Sequence, residues 1–287
     1  MFENYSVLMS VYGREQADFF RLSTQSILAQ TMPTNDFVLV CDGPLTEPLD
    51  KVIAELQETH SDILHIIRLE NNQGLAKALN RGLQACKNEL IARMDSDDVA
   101  VPNRCELQLR KFRENPELAI VGGEIDEFEK NPDNVISHKK MPHTHEEILR
   151  YAKTRNPFNH PTVMYRRSVI LAAGSYPDHI LHEDYALWSQ LLLSGHIAAL
   201  VRRQRHAHGC RGVRTGRLGD HVGDRLCDLL MSLAGDEFHL ARVHAAVQDP
   251  HLSGIVPRHV LILQHEGKPL IRSFDDRHII SPLRTGA

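Results

Sequence analysis

Hydrophobic positions along the chain alternate between short continuous runs and stretches of helical spacing. Tyr5 to Tyr12 is a β-rich apolar run that stops at Gly13, and Phe37 to Cys41 is a second that stops at the turn signal Asp42-Gly43-Pro44. Between them, Phe19, Phe20, Leu22, Ile27 and Leu28 put an apolar face on a helix expected from about Glu15 to Gln30. Leu49, Val52, Ile53 and Leu56 recur at helical spacing, a strand follows at Ile63 to Leu69, and Leu75, Ala78, Leu79 and Leu83 line a third helix between Gly74 and Cys86. A fourth apolar strand, Glu89 to Met94, runs into Asp95-Ser96-Asp97-Asp98. Beyond it the pattern predicts a helix opening at Val101-Pro102-Asn103-Arg104, a strand at Leu118 to Gly123, and an edge strand and loop from Asp126 to Lys140. A short helix at Glu146 to Tyr151, a strand at Thr162 to Tyr165 and an apolar helix at Tyr185 to Leu192 complete the pattern.

Apolar strands alternating with amphipathic helices imply an α/β fold, with a mostly parallel central sheet and helices on both faces. Val11-Tyr12, Cys41-Asp42-Gly43, the loop Asn71 to Gly74 and Asp95 to Asp98 should then share one edge, where open sheets bind ligands. Three carboxylates within four residues raise one another's pKa, and an oxygen-seeking divalent cation keeps them ionised. Taken alone, the same residues read first as a solvated Asp/Ser turn that caps the next helix. Glu183 and Asp184 fall at the start of the Tyr185 helix, where its dipole favours a carboxylate; taken alone they are helix-start charge. Paired with a metal site upstream, a lone general base at this helix start becomes the better reading. No GxGxxG follows the first strand and no GxxxxGK[ST] occurs, so a cation held by Asp side chains is the remaining route to a diphosphate. His143 and His145 have no third ligand nearby and read as helix-start and surface residues.

Composition narrows the partners. A charge of −4 argues against a general nucleic-acid or anionic-membrane surface, and no stretch approaches the roughly 20 apolar residues of a membrane span. Met1-Phe2-Glu3-Asn4 lacks the start of a signal peptide, so the expected location is cytoplasmic. Five cysteines without a CxxC pair indicate neither a disulfide framework nor a zinc knuckle. Residues 1–200 carry 20 Lys and Arg against 28 Asp and Glu, whereas residues 201–287 carry 13 against 9. The later segment holds 9 of the 18 His and no Asn, Tyr or Trp, a separate compositional regime.

The residues resemble the inverting family-2 glycosyltransferases of the GT-A fold, in motifs covering roughly residues 4 to 197. These are Ser6 to Tyr12; Ser26-Ile27-Leu28-Ala29-Gln30-Thr31; Val40-Cys41-Asp42-Gly43; Asn71 to Asn80; Ile91-Ala92-Arg93-Met94-Asp95-Ser96-Asp97-Asp98; and His182-Glu183-Asp184. The resemblance implies a GT-A domain over 1–199, its Rossmann-like nucleotide-sugar half about 1–100 and its acceptor half about 101–199. Residues 200–287 match nothing in the family, and are either an extension or the product of a shifted reading frame. By the same resemblance, Val11 and Tyr12 line the nucleobase pocket and Asp42 accepts the base's imino hydrogen bond; many relatives also have Asp at the position of Cys41. Lys77 faces the diphosphate, Asp95 contacts the ribose and shares the metal with Asp97, and Asp98 orients the donor sugar. Asp184 is the general base, Glu183 supports it, and His160 stands in a turn facing the acceptor. The implied reaction moves a sugar from a nucleotide diphosphate sugar, expected to be a UDP-sugar, to a hydroxyl, with Mn²⁺ or Mg²⁺. The acceptor is a glycan or lipid-linked sugar of bacterial surface polysaccharide synthesis, which leaves peripheral association with the inner face of the membrane open. A non-catalytic sugar-nucleotide-binding relative and a sugar-1-phosphate nucleotidyltransferase are the alternatives; the latter needs a Gly-rich basic loop after the first strand, which this chain lacks.

Overall fold

The computed structural model describes residues 4–128, 134–178, 182–209, 260–265 and 268–273, with side chains up to residue 201. The chain divides into two compact units, Met1–Cys227 and Asp228–Ala287. In the first, β1 (Tyr5–Tyr12), β2 (Asp36–Asp42), β3 (Leu64–Arg68) and β4 (Leu90–Met94) alternate with α1 (Ala17–Leu28), α2 (Glu47–His60) and α3 (Leu75–Ala85). These four strands pair in parallel in the order β3, β2, β1, β4. Every residue of β2 and β4 is buried, which explains the apolar run of β2 and, Arg93 apart, of β4: both faces of the sheet are covered.

The chain continues through β5 (Asp98–Val99), α4 (Arg104–Glu114), β6 (Leu118–Phe128), β7 (Val135–Lys139), α5 (His145–Ala152) and a 3-10 turn at His160–Thr162. It then forms β8 (Met164–Arg166), α6 (Arg167–Ala172), α7 (Glu183–Leu193) and β9 (Ile197–Gly209). The sheet extends from β4 through β8, β6 and β9 to β5, with β7 on β6. Here it becomes mixed. β8 runs antiparallel to both β4 and β6, because its entry lies beside the exit of β4: the Arg93 amide donates to the Val163 carbonyl at 2.9 Å. One core joins β1 (Tyr5, Val7, Met9, Val11) to α1, α2 and α4; the other joins Leu8 and Ile91 to α3, α5, α6 and α7. No helix among the described residues is long and apolar enough to cross a membrane. In the second unit β10 (Val260–His265) and β11 (Lys268–Ser273) form an antiparallel pair.

Two expectations change. Leu22 is exposed, and the inner face of α1 instead buries Ser23 and Thr24, because their hydroxyls bond to the Asp95 carbonyl (2.6 Å) and the Phe20 carbonyl (2.9 Å). The strand expected to end at Gly123 continues to Phe128 and pairs with β9, from Leu118 opposite Ile197 to Phe128 opposite Gly209. β9 therefore crosses the compositional junction at 200/201 as one strand. Residues 210–259, 266–267 and 274–287, and with them the reading-frame question, lie outside the described residues.

Gly43 fixes the end of β2. Its φ is +84°, and a Cβ there would lie 2.5 Å from the Asn72 backbone nitrogen, in the loop before α3. Gly174 also has a positive φ, +90°, but nothing lies within 4 Å of its Cβ direction. Gly174→Ala is therefore expected to cost the left-handed strain alone, about 1–2 kcal/mol, and Gly43→Ala clearly more, because a backbone must move as well. Urea unfolding compares the two, and equal losses would remove the clash from this account.

Candidate functional site

β4 delivers its last residues to the middle of the sheet edge, where Asp95, Asp97 and Asp98 offer carboxylate oxygens all within 4.8 Å of one another. Asp95 and Asp97 are half-buried; Asp98 is fully buried in β5, whose partner is β9. The turn is held from three sides. Ser23 of α1 donates to the Asp95 carbonyl, and the Ser96 hydroxyl donates to the buried Glu15 carboxylate at 3.1 Å, in the segment between β1 and α1. Arg93, 1% exposed, pairs with Asp95 at 2.5 Å through Nη2. Arg104, equally buried, donates from its own Nη2 to the Arg93 carbonyl (2.7 Å) and the Val163 carbonyl (3.2 Å).

These arginines alter the electrostatics read from the acidic turn alone. Three carboxylates crowd together, but two buried guanidinium groups stand among them. Burial opposes the charge of Arg93, and Asp95 outweighs it, so its pKa lies above the ordinary value. Arg104 is pushed down by burial. The negative charge of the turn thus has a buried partner within the fold, Arg93 on Asp95, braced from behind by Arg104.

Asp42, at the end of β2 opposite Tyr12, accepts the backbone amides of Gln73 (2.7 Å) and Gly74 (3.0 Å), one on each carboxylate oxygen. It thus braces the loop that opens α3. Val11 is buried and Tyr12 half-buried at the end of β1. Lys77, on α3, pairs with Asp178 at 3.5 Å, both side chains about half exposed. Asn80 clamps the same downstream segment, donating to the Tyr176 carbonyl (2.7 Å) and accepting the Tyr176 amide (2.9 Å).

Glu183 and Asp184 occupy the first turn of α7, after His182 in the left-handed conformation (φ 68°). Asp184 accepts the Asn156 side-chain amide at 2.7 Å. Burial raises its pKa, opposed by Asn156, the Tyr185 amide and the charge of Arg93. Burial also raises Glu183, and the neighbouring Asp184 charge adds to it. His160 sits in an aromatic box, 5.4 Å from the Tyr176 ring and 6.0 Å from the Trp188 ring, with Nε2 3.2 Å from the Tyr176 hydroxyl. Burial, then Arg93, holds it well below its usual pKa, so it is a neutral imidazole at pH 7.

Asp95, Asp97 and Asp98 come together as the sequence suggests, and Glu183 and Asp184 share Arg93 with them as an electrostatic neighbour. Asp42 and Lys77 instead hold backbone and loop. Sequence reasoning gave no role to Arg93, Arg104, Glu15 or Asn156. The available signal was an arginine inside an otherwise apolar strand, Leu90-Ile91-Ala92-Arg93-Met94.

A carboxyl whose folded pKa lies above its unfolded value costs stability once pH exceeds the unfolded value of about 4. Asp184→Asn is therefore expected to raise Tm over the parent at pH 7 and to lose that advantage at pH 3.5. An unchanged or lower Tm at pH 7 would show that burial does not strain this carboxylate.

Residues 6–173 match the family model described as Glycosyl transferase family 2. The chain is 37% identical over 193 residues to the UDP-Gal:alpha-D-GlcNAc-diphosphoundecaprenol beta-1,3-galactosyltransferase of Escherichia coli, covering 67% of this chain and 68% of that protein. It is 36% identical over 195 residues to the amylovoran biosynthesis glycosyltransferase AmsE of Erwinia amylovora, covering 68% and 72%. The crystal structure of GalNAc-T7 with UDP, GalNAc and Mn²⁺ superposes with a TM-score of 0.61 at 16% identity, over 73% of this chain and 44% of that one, a likeness of GT-A fold.

Proposed function

We propose, from the premise that this chain belongs to glycosyl transferase family 2 and is a glycosyltransferase, that it transfers a sugar from a UDP-sugar to a hydroxyl by one inverting displacement. The observation that carries the reading is Asp184, a carboxylate raised by burial in the first turn of α7, with Arg93 shared between it and the acidic turn. An acceptor hydroxyl is a poor nucleophile near pH 7. Asp184 takes its proton as the oxygen attacks the anomeric carbon, in line with the departing nucleoside diphosphate. A raised pKa suits this, since a base titrating nearer the working pH takes a proton with more driving force. Glu183 supports it at the helix start, and neutral His160 offers the acceptor a hydrogen-bonding ring.

The acidic turn provides hard oxygen ligands, the donor set that Mn²⁺ and Mg²⁺ take. Asp97 and Asp95 would hold the ion, which when bound neutralises charge on the leaving diphosphate as a Lewis acid. Asp98 orients the donor sugar and Asp95 also meets the ribose. Val11 and Tyr12 flank the nucleobase, whose imino group takes a lone pair of Asp42 that the loop amides leave open. Lys77 turns from Asp178 to the diphosphate, which costs little because that pair is exposed. The acceptor is a glycan or lipid-linked sugar of surface polysaccharide assembly, by analogy with the Escherichia coli and Erwinia amylovora relatives. Such an acceptor would bring the protein to the membrane surface peripherally.

A panel of UDP-sugars with Mn²⁺ tests this. Asp184→Asn is expected to lower kcat about 10²- to 10⁴-fold with donor KM little changed. Calorimetric binding of UDP is expected to weaken without Mn²⁺ in the parent and to lose that dependence in Asp97→Asn. Equal UDP affinity with and without Mn²⁺ in the parent would rule out the metal bridge.

A further inference from the structure

We infer that Arg93 is a positioning residue that ties the acidic turn to the base: one buried guanidinium grips Asp95 and is the counter-charge of the carboxylates at the start of α7. The inference rests on the reading of Asp184 as general base. Strand alternation sets the direction. Leu90, Ala92 and Met94 face the core of α1, α2 and α4, while Ile91 faces the core of α3, α6 and α7, so Arg93 projects from the α7 side of β4. Its backbone is fixed from both directions, the amide on the Val163 carbonyl and the carbonyl under Arg104.

Nη2 meets Asp95, yet Nε and Nη1 are buried with no hydrogen-bond partner. A buried cation with two idle donors is costly, and an apolar side chain of similar size generally packs such a site as well or better. Packing therefore gives no reason for an arginine here; its charge does. Asp184 faces Arg93 from β4, Glu183 and His182 from its own helix, Tyr176 from the preceding segment, and Asn156 through a hydrogen bond. Among these groups the buried Arg93 carries a positive charge that no working pH removes. Arg93 therefore offsets the burial of Asp184 while fixing Asp95.

The test is the titration of the Asp184 carboxyl by ¹³C NMR in the full chain without added metal, the resonance being assigned by its loss in Asp184→Asn. Arg93→Met is expected to move the midpoint up by about one unit or more, the shift an opposite charge supplies, whereas Arg93→Lys leaves it within about half a unit. An unmoved midpoint in Arg93→Met overturns the inference. Should that variant fail to fold, Arg93→Lys carries the test, because a midpoint raised by a full unit despite the retained charge also overturns it. Turnover of UDP-galactose that survives in Asp184→Asn sinks the base reading instead, so the two failures are told apart.

Discussion

Arg93 pairs with Asp95 where neither can be fully hydrated, and much of the surrounding structure is arranged around that pair. A guanidinium taken out of water costs several kcal/mol, and a close carboxylate recovers the cost only where geometry is fixed. The fold supplies the fixing. β4 is clamped between β1 and β8, Arg104 locks the Arg93 carbonyl, and Ser23 and Ser96 tether the turn to α1 and to Glu15. Held this way, Asp97 and Asp98 need no large rearrangement to present oxygens beside Asp95. A loop bearing the same acids without the buried cations would lower its mutual repulsion by spreading.

The mixed half of the sheet is what makes that pair useful. β8 returns against β4, so the 3-10 turn carrying His160 meets the end of the strand from which the acidic turn departs. A purely parallel continuation would have required another crossover before returning to that edge. Asn80 and Asn156 then pin the segments around α7 by side-chain amides whose partners lie far away in sequence.

What the sequence revealed and what it hid divide along the same line. Strands β1, β2 and β4 were legible because continuous apolar runs have one explanation in a covered sheet, and α3 because Leu75, Ala78, Leu79 and Leu83 share a face. The acidic turn and the α7 carboxylates were legible as local charge at element ends. Hydrophobic spacing places Leu22 inward, whereas the structure buries Ser23 and Thr24 through hydrogen bonds to backbone carbonyls, which that spacing cannot register. The direction of β8 and the pairing of Asp184 with Asn156 depend on neighbours that only the tertiary structure assembles. Arg93 stood in plain view as a charge in a strand, but its meaning lies in what surrounds it.

The pairing of β5 with β9 has a consequence in time as well as in space. Asp98 sits opposite His208, so the strand that anchors one of the three acids leaves the ribosome long after the acids themselves. Closing so long a loop carries an entropic cost that local contacts cannot offset, which makes β9 a late arrival in the sheet. Until it docks, β6 has an open edge along most of its length, the kind of surface on which nascent chains mispair. Maturation of the acidic turn is thus coupled to synthesis of a strand that begins in one compositional regime and ends in the other.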